Sequence, residues 1–270
     1  MGIVAHPNSE RKGRGRKVHT RTPLGQRALL NGGKVLLIDR DQVGFSSYLC
    51  GIEEKGLVAS IVDGETHNYM TTLTMGQGSL TVLKFYGDGP RFKADLQQIL
   101  SNRDIESTVK RLYSDIITRG KFDYVVLDNA ALTFPTDEGV RLEMETYLQH
   151  FPSEPSLRLF VSDPSTQGIN STLNYIEFVN SYGITSGVHA NVSGQVLAIN
   201  MVPPGSNLEL LLNALRDAMK RVKISLGVVI PFMDNLFQYS NDLEEMPLPP
   251  QIRDLARAIS KGYQLGEIIK

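Results

Sequence analysis

Tryptophan is absent from this 270-residue chain and cysteine occurs once, at Cys50. A lone cysteine closes no internal disulfide and builds no zinc site, so Cys50 is expected to be a small buried hydrophobe. The five histidines, His6, His19, His67, His150 and His189, show no pair at metal-ligand spacing. There is no run of about 18 apolar residues, which argues against a transmembrane helix. The N-terminus shows no apolar signal core, so a cytoplasmic protein is expected. Charged residues are 21% and hydrophobic residues 41% of the chain, a balance that excludes global disorder and allows a substantial core.

The net charge of −1 conceals an uneven distribution. Segment 11–27 holds Arg11, Lys12, Arg14, Arg16, Lys17, Arg21 and Arg27 and no acidic residue. Without those seven, 21 basic residues face 29 acidic ones, a net of −8. Read alone, the segment suggests a nucleic-acid-binding arm.

Apolar runs and helical periods alternate along the rest of the chain. Gly2–Ala5, Lys34–Asp39, Ser79–Tyr86, Phe122–Asp128, Leu157–Val161, Gln195–Asn200 and Gly227–Ile230 read as strands. Phe92–Leu100, Ile105–Thr118, Arg141–His150, Thr166–Tyr182, Asn207–Val222 and Gln251–Gln264 read as helices. Region 42–78 carries the weakest pattern and is expected to hold an insert. This alternation predicts a single α/β domain over 1–270, with a mostly parallel sheet and helices on both faces. Ligands of such sheets bind beyond the carboxyl ends of the strands, where Asp39, Asp41, Asp128, Asp163 and Asn200 are predicted to lie. A single Asp there is usually a turn former; several converging ones suggest a site.

Val35-Leu-Leu-Ile-Asp-Arg-Asp41-Gln resembles the second strand of the ParA/MinD family of P-loop ATPases, which ends in Asp-x-Asp. Tyr124-Val-Val-Leu-Asp128 resembles that family's Walker B strand. Phe160-Val-Ser-Asp-Pro-Ser165, Ala198-Ile-Asn200 and Val229-Ile-Pro231 match later stretches in order, so the resemblance runs from about Lys34 to the end. It implies a P-loop NTPase fold of the deviant Walker A type, with ATP and Mg²⁺ as cofactors. Asp128 would hold the Mg²⁺ shell, supported by Asp39, and Asp41 would position the attacking water. Asn200 would bond adenine and Pro231 would line its pocket. Asp163 is assigned no chemistry.

The family's phosphate loop, Lys-Gly-Gly-x-Gly-Lys followed by a hydroxyl residue and Thr, is altered here. Its glycines let backbone N–H groups wrap phosphate, its second lysine reaches the terminal phosphates, and its hydroxyl binds Mg²⁺. This chain reads Lys12-Gly-Arg-Gly-Arg-Lys17-Val-His-Thr-Arg21. Lys12 and Lys17 keep their catalytic register, and Gly13 and Gly15 remain to bind phosphate. Arg14 and Arg16, however, replace glycines, and Val18 brings no oxygen to the metal. Permitted codons for Lys12–Arg21, shifted by one base, translate as Lys-Gly-Gly-Val-Gly-Lys-Ser-Thr-Leu-Ala. The basic cluster therefore reads as a phosphate loop in the wrong frame, and the loop as written is expected to be defective.

By this resemblance the chain is a ParA-like ATPase for plasmid or chromosome partitioning. It would work as an ATP-dependent homodimer with a partition partner protein and non-specific DNA, the DNA contacts drawn from Arg216, Lys220, Arg221 and Lys223. Two alternatives are a non-catalytic ParA-like interaction module and a MinD-type positioning ATPase. The MinD branch needs a C-terminal membrane helix; Ala258–Lys270 is only weakly amphipathic and carries two glycines, which favours the partition type.

Overall fold

The computed structural model describes residues 2–5, 33–131, 133–185, 191–237, 239 and 246–270. Lys12, Gly13, Gly15 and Lys17, with the whole basic segment, lie outside the described residues.

Nine strands form one sheet: β1 (Gly2–Ala5), β2 (Lys34–Asp39), β3 (Met70–Met75), β4 (Gly78–Lys84), β5 (Tyr124–Asp128), β6 (Pro155–Ser162), β7 (Asn191–Val202), β8 (Leu226–Pro231) and β9 (Glu267–Ile269). Their order across the sheet is β3-β4-β2-β5-β1-β6-β7-β8-β9. Among the described residues the α-helices are α1 (Phe45–Leu49), α2 (Leu57–Asp63), α3 (Phe92–Ser101), α4 (Arg103–Arg119), α5 (Glu138–His150), α6 (Thr166–Thr185), α7 (Leu208–Val222), α8 (Asp234–Phe237) and α9 (Pro250–Lys261). The expected architecture is present: a mostly parallel sheet between helices.

Side-chain alternation explains the two layers. Val35, Leu37, Tyr124, Val126, Ala198 and Val228 face one side, where Leu255 and Ala256 of α9 pack against the sheet. Leu36, Ile38, Val125 and Leu127 face the other side, against Val109, Tyr113 and Ile117 of α4 and Leu142 and Tyr147 of α5. Leu197, Ile199 and Val229 continue that second side under α6 and α7. Strands apolar on both faces are those a parallel sheet needs.

Local signals set the helix ends. Asn102 stops α3 and caps α4, its side chain accepting from the N–H groups of Asp104 and Ile105 at 3.0 and 3.4 Å. Asn207 caps α7 through Leu210 N–H at 3.1 Å.

Three parts of the topology go beyond the sequence expectation or depart from it. Region 42–78 folds as α1, α2 and the edge strand β3. The last helix, expected over Gln251–Gln264, ends at Lys261, and Gly262 and Gly266, both at positive φ, turn the chain into β9 beside β8, a strand the sequence does not announce. No described helix is long and apolar enough to cross a membrane. The third departure concerns β1, which runs antiparallel to both neighbours, with Gly2 level with Asp128 and Ala5 level with Val125. The resemblance expects a phosphate loop to leave this strand at the edge carrying Asp39 and Asp128. Here Ala5 points to the opposite edge. A four-residue apolar strand can satisfy its ladder in either direction, so Gly-Ile-Val-Ala does not by itself encode its polarity.

Ile38 is fully buried between β2 and the α4–α5 layer, whereas Val161 is 49% exposed. Ile38→Ala is expected to cost about 2–5 kcal/mol by urea unfolding. Val161→Ala should stay within roughly 0.5 kcal/mol of the parent chain.

Candidate nucleotide site at the carboxyl edge of the sheet

Strands β2 and β5 are parallel neighbours, and their register sets Asp39 directly beside Asp128. Both carboxylates therefore sit at the same strand end and on the same face. Asp39 is fully buried. One of its oxygens accepts from the Ser47 N–H at 2.8 Å and the Ser47 hydroxyl at 2.7 Å; the other accepts from the Asp41 N–H at 3.1 Å. Burial pushes the Asp39 pKa above its ordinary 3.8, with the Asp128 charge adding to the rise, although the Ser47 and Asp41 bonds oppose it. Asp128 accepts from the Ser46 hydroxyl at 2.8 Å. Asp41 folds the following turn by accepting from Val43 N–H at 3.0 Å.

Ser46 and Ser47, on α1, are the site residues that the sequence reading missed. Their only signal is a hydroxyl pair five to six residues beyond Asp41. Gly44, at φ +67°, lets the chain turn back so that both hydroxyls reach the strand ends.

Arg40 lies between the two aspartates and points to the other face of the sheet. It is buried, and its Nη1 approaches Glu143 Oε2 on α5 at 2.7 Å. That contact lacks hydrogen-bonding geometry, and Nη2 has no acceptor among the described residues. The Tyr113 hydroxyl donates to the other Glu143 oxygen. The Arg40 N–H donates to the Asp128 carbonyl at 2.9 Å, which joins the two acidic strand ends through backbone as well.

Asn200 and Pro231 form a second group on the same edge. The pairing of β7 with β8 shifts between Ile199 and Val202, and Val202 lies opposite Pro231. Met201, inside that irregularity, has φ 60°, a left-handed conformation unusual for a side chain of its size. Asn200 thus sits at a bulge inside β7, two residues short of its end, and is partly buried. Three strand spacings, roughly 14 Å, separate β5 from β7.

Asp163 is exposed and accepts from Ser165 N–H at 2.8 Å, a turn-forming role. Cys50 is buried, and burial with the Asp39 charge nearby pushes its thiol up to about 12. Two of the basic residues considered for DNA are engaged: Arg221 pairs with Glu177 at 2.7 Å, and Arg216 lies 3.5 Å from Glu209. No cluster of three or more His, Cys, Asp or Glu suited to a metal occurs among the described residues. With three hydrogen bonds accepted, Asp39 keeps about one of its four acceptor positions. Half-buried Asp128 retains the capacity to bond metal-bound water.

No protein-family model matches the chain, and no curated protein matches it. Solved structures do. Apo McdA from Cyanothece is 13% identical, covering 90% of this chain and 93% of its own at a TM-score of 0.50. A Cyanothece McdA variant in complex with ATP is 13% identical, covering 88% and 91% at 0.50. A partition protein is 14% identical, covering 84% of this chain and 61% of its own at 0.48.

Two measurements test this geometry. Arg40→Met should destabilise the fold by about 3–5 kcal/mol by stranding Glu143, and adding Glu143→Gln, which keeps an acceptor for Tyr113, should restore most of it. Because the folded pKa of Asp39 is raised, its contribution to stability is present below about 3.8 and lost as pH rises through the folded value. Unfolding free energies of the parent chain should therefore fall relative to Asp39→Asn as pH rises from there. A pH-independent difference would contradict the buried environment of Asp39. At the level of architecture, the chain has a ParA/MinD-like fold.

Proposed function

We propose that this chain derives from a ParA-like positioning or partition ATPase, and that its phosphate loop is defective as written. The observation that carries the reading is the in-register pair Asp39 and Asp128 at the carboxyl ends of β2 and β5, with Ser46 and Ser47 bonded to them. In this reading Asp128 and Asp39 would hold Mg²⁺, which would neutralise phosphate charge, and Asp41 would orient the attacking water. In an intact loop Lys17 would reach the terminal phosphates, Lys12 would reach across an ATP-dependent homodimer, and Gly13 and Gly15 would lend backbone N–H groups to phosphate. Asn200 and Pro231 take the adenine. The spacing of roughly 14 Å between the acidic pair and Asn200 suits an extended nucleoside triphosphate lying across β1 and β6. Phosphoryl transfer requires this division of labour: neutralised phosphate charge, an oriented nucleophile and a base pocket that fixes register. A partition partner protein and salt-sensitive, non-specific DNA binding follow from the same reading.

A second reading, a non-catalytic ParA-like interaction module, is favoured by one specific observation. β1 is antiparallel and sends the chain away from Asp128, and Arg14, Arg16 and Val18 replace residues a phosphate loop needs. The two readings meet if residues 11–23 arise from a compensated frameshift. Resequencing the DNA over this segment tests that directly; a clean read with codons incompatible with the shifted frame would sink it.

The decisive comparison is ATP binding and hydrolysis by the chain as written and by one restored to Lys-Gly-Gly-Val-Gly-Lys-Ser-Thr-Leu-Ala over residues 12–21. The written chain is expected to bind ATP weakly with no detectable hydrolysis, and the restored chain to gain both. Asp128→Asn in the restored chain should remove hydrolysis again. Equal activity of the written and restored chains would refute the defective-loop account.

A further inference from the structure

The sheet ends in two edges that are built differently. β9 has three residues and begins with Glu267; a short charged strand is a protected edge. β3 has six, Met70-Thr-Thr-Leu-Thr-Met75, with no charge and no proline. Its pairing with β4 runs without a bulge from Met70 opposite Leu83 to Met75 opposite Gly78. Met70, Thr72 and Thr74 are exposed on one face, while Leu73 and Met75 pack against the core on the other. An edge strand offers a row of backbone donors and acceptors to any strand that can lie beside it. Shortness, charge, proline and a bulge are all missing from β3, and among the described residues no further strand lies beside it.

We propose that β3 is an interaction edge that pairs antiparallel with β3 of a second copy of this chain, joining two sheets into one. The strand's own sequence selects this occupant. A twofold axis through Thr72 sets Thr72 opposite Thr72, Met70 opposite Thr74 and Thr71 opposite Leu73. Every facing pair is uncharged and shares one face of the joined sheet. The Thr72 hydroxyl already lies 3.0 Å from the Thr81 hydroxyl across β3 and β4. The twofold pairing extends this into a threonine row, Thr81–Thr72 in one copy and Thr72–Thr81 in the next. A strand bearing charge would find no counter-charge along β3, whereas β3 itself brings none. One strand pairing is smaller than the roughly 1,200 Å² of a stable interface, so the association is weak and concentration-dependent. It needs no nucleotide and lies at the far end of the sheet from β7 and β8.

The test is sedimentation equilibrium of the full chain without nucleotide, up to about 1 mM, the affinity range of a small contact. The average mass is expected to rise from monomer towards dimer. Thr72→Lys places two ammonium groups opposite each other and should weaken dimerisation by roughly tenfold or more, with thermal unfolding of the monomer little changed. Thr72→Cys should oxidise to a covalent dimer much faster than Leu265→Cys, an exposed control away from β3, because facing residues of an antiparallel pair lie within disulfide reach. The native Cys50 is buried with its thiol pushed up to about 12, so it stays silent. A dimer indifferent to Thr72→Lys would overturn the proposal. So would a monomer at every concentration with no preferential cross-linking at Thr72.

Discussion

The parallel ladder between β2 and β5 is the constraint on which the rest of the molecule depends. It brings Asp39 beside Asp128 and fixes which residues of each strand face α9 and which face α4 and α5. A slip of β2 by one residue would turn Leu36 and Ile38 out of one core and move Asp39 to the face opposite Asp128. The ladder therefore couples stability to the site: the packing that buries Ile38 also holds Asp39 in place.

The acidic strand ends work against this arrangement, because two carboxylates meet at a buried edge and repel. The structure offsets the repulsion with donors. Ser46 serves Asp128, Ser47 and the Asp41 N–H serve Asp39, and α1 carries both serines. Across the sheet, Arg40 and Glu143 form a buried pair with incomplete hydrogen bonding. Such a pair contributes little net stability, yet it ties the Asp39–Asp41 turn to α5. A change at the carboxylates would thus be felt on both faces of the sheet.

Much of this was readable from residue order alone. The runs ending in Asp39 and Asp128 announced buried parallel strands, because no half-exposed strand carries apolar residues at successive positions. The helices α3, α4, α6 and α7 followed from their periods. β3 was not legible: Met-Thr-Thr-Leu-Thr-Met has no apolar run and gains its strand form only from the ladder with β4. Nor was β9, whose three residues are too few to carry a period. Ser46 and Ser47 escaped notice because their role depends on a turn at Gly44 that brings them back to the strand ends.

The sequence by itself determined the α/β class, the strands that bear the acidic residues and the anomalous basic segment 11–27. These are properties of short stretches, set by local periodicity and side-chain chemistry. Tertiary structure alone decided which strands became neighbours, and with that the pairing of Asp39 with Asp128. It also decided the direction of β1, the salt bridge between residues as distant as Arg40 and Glu143, and the place of the uncharged β3 at one end of the described sheet. The physical reason is common to all of them. Each is a relation between segments far apart in the chain, and local propensity says nothing about which partner a backbone hydrogen bond or a buried charge will meet.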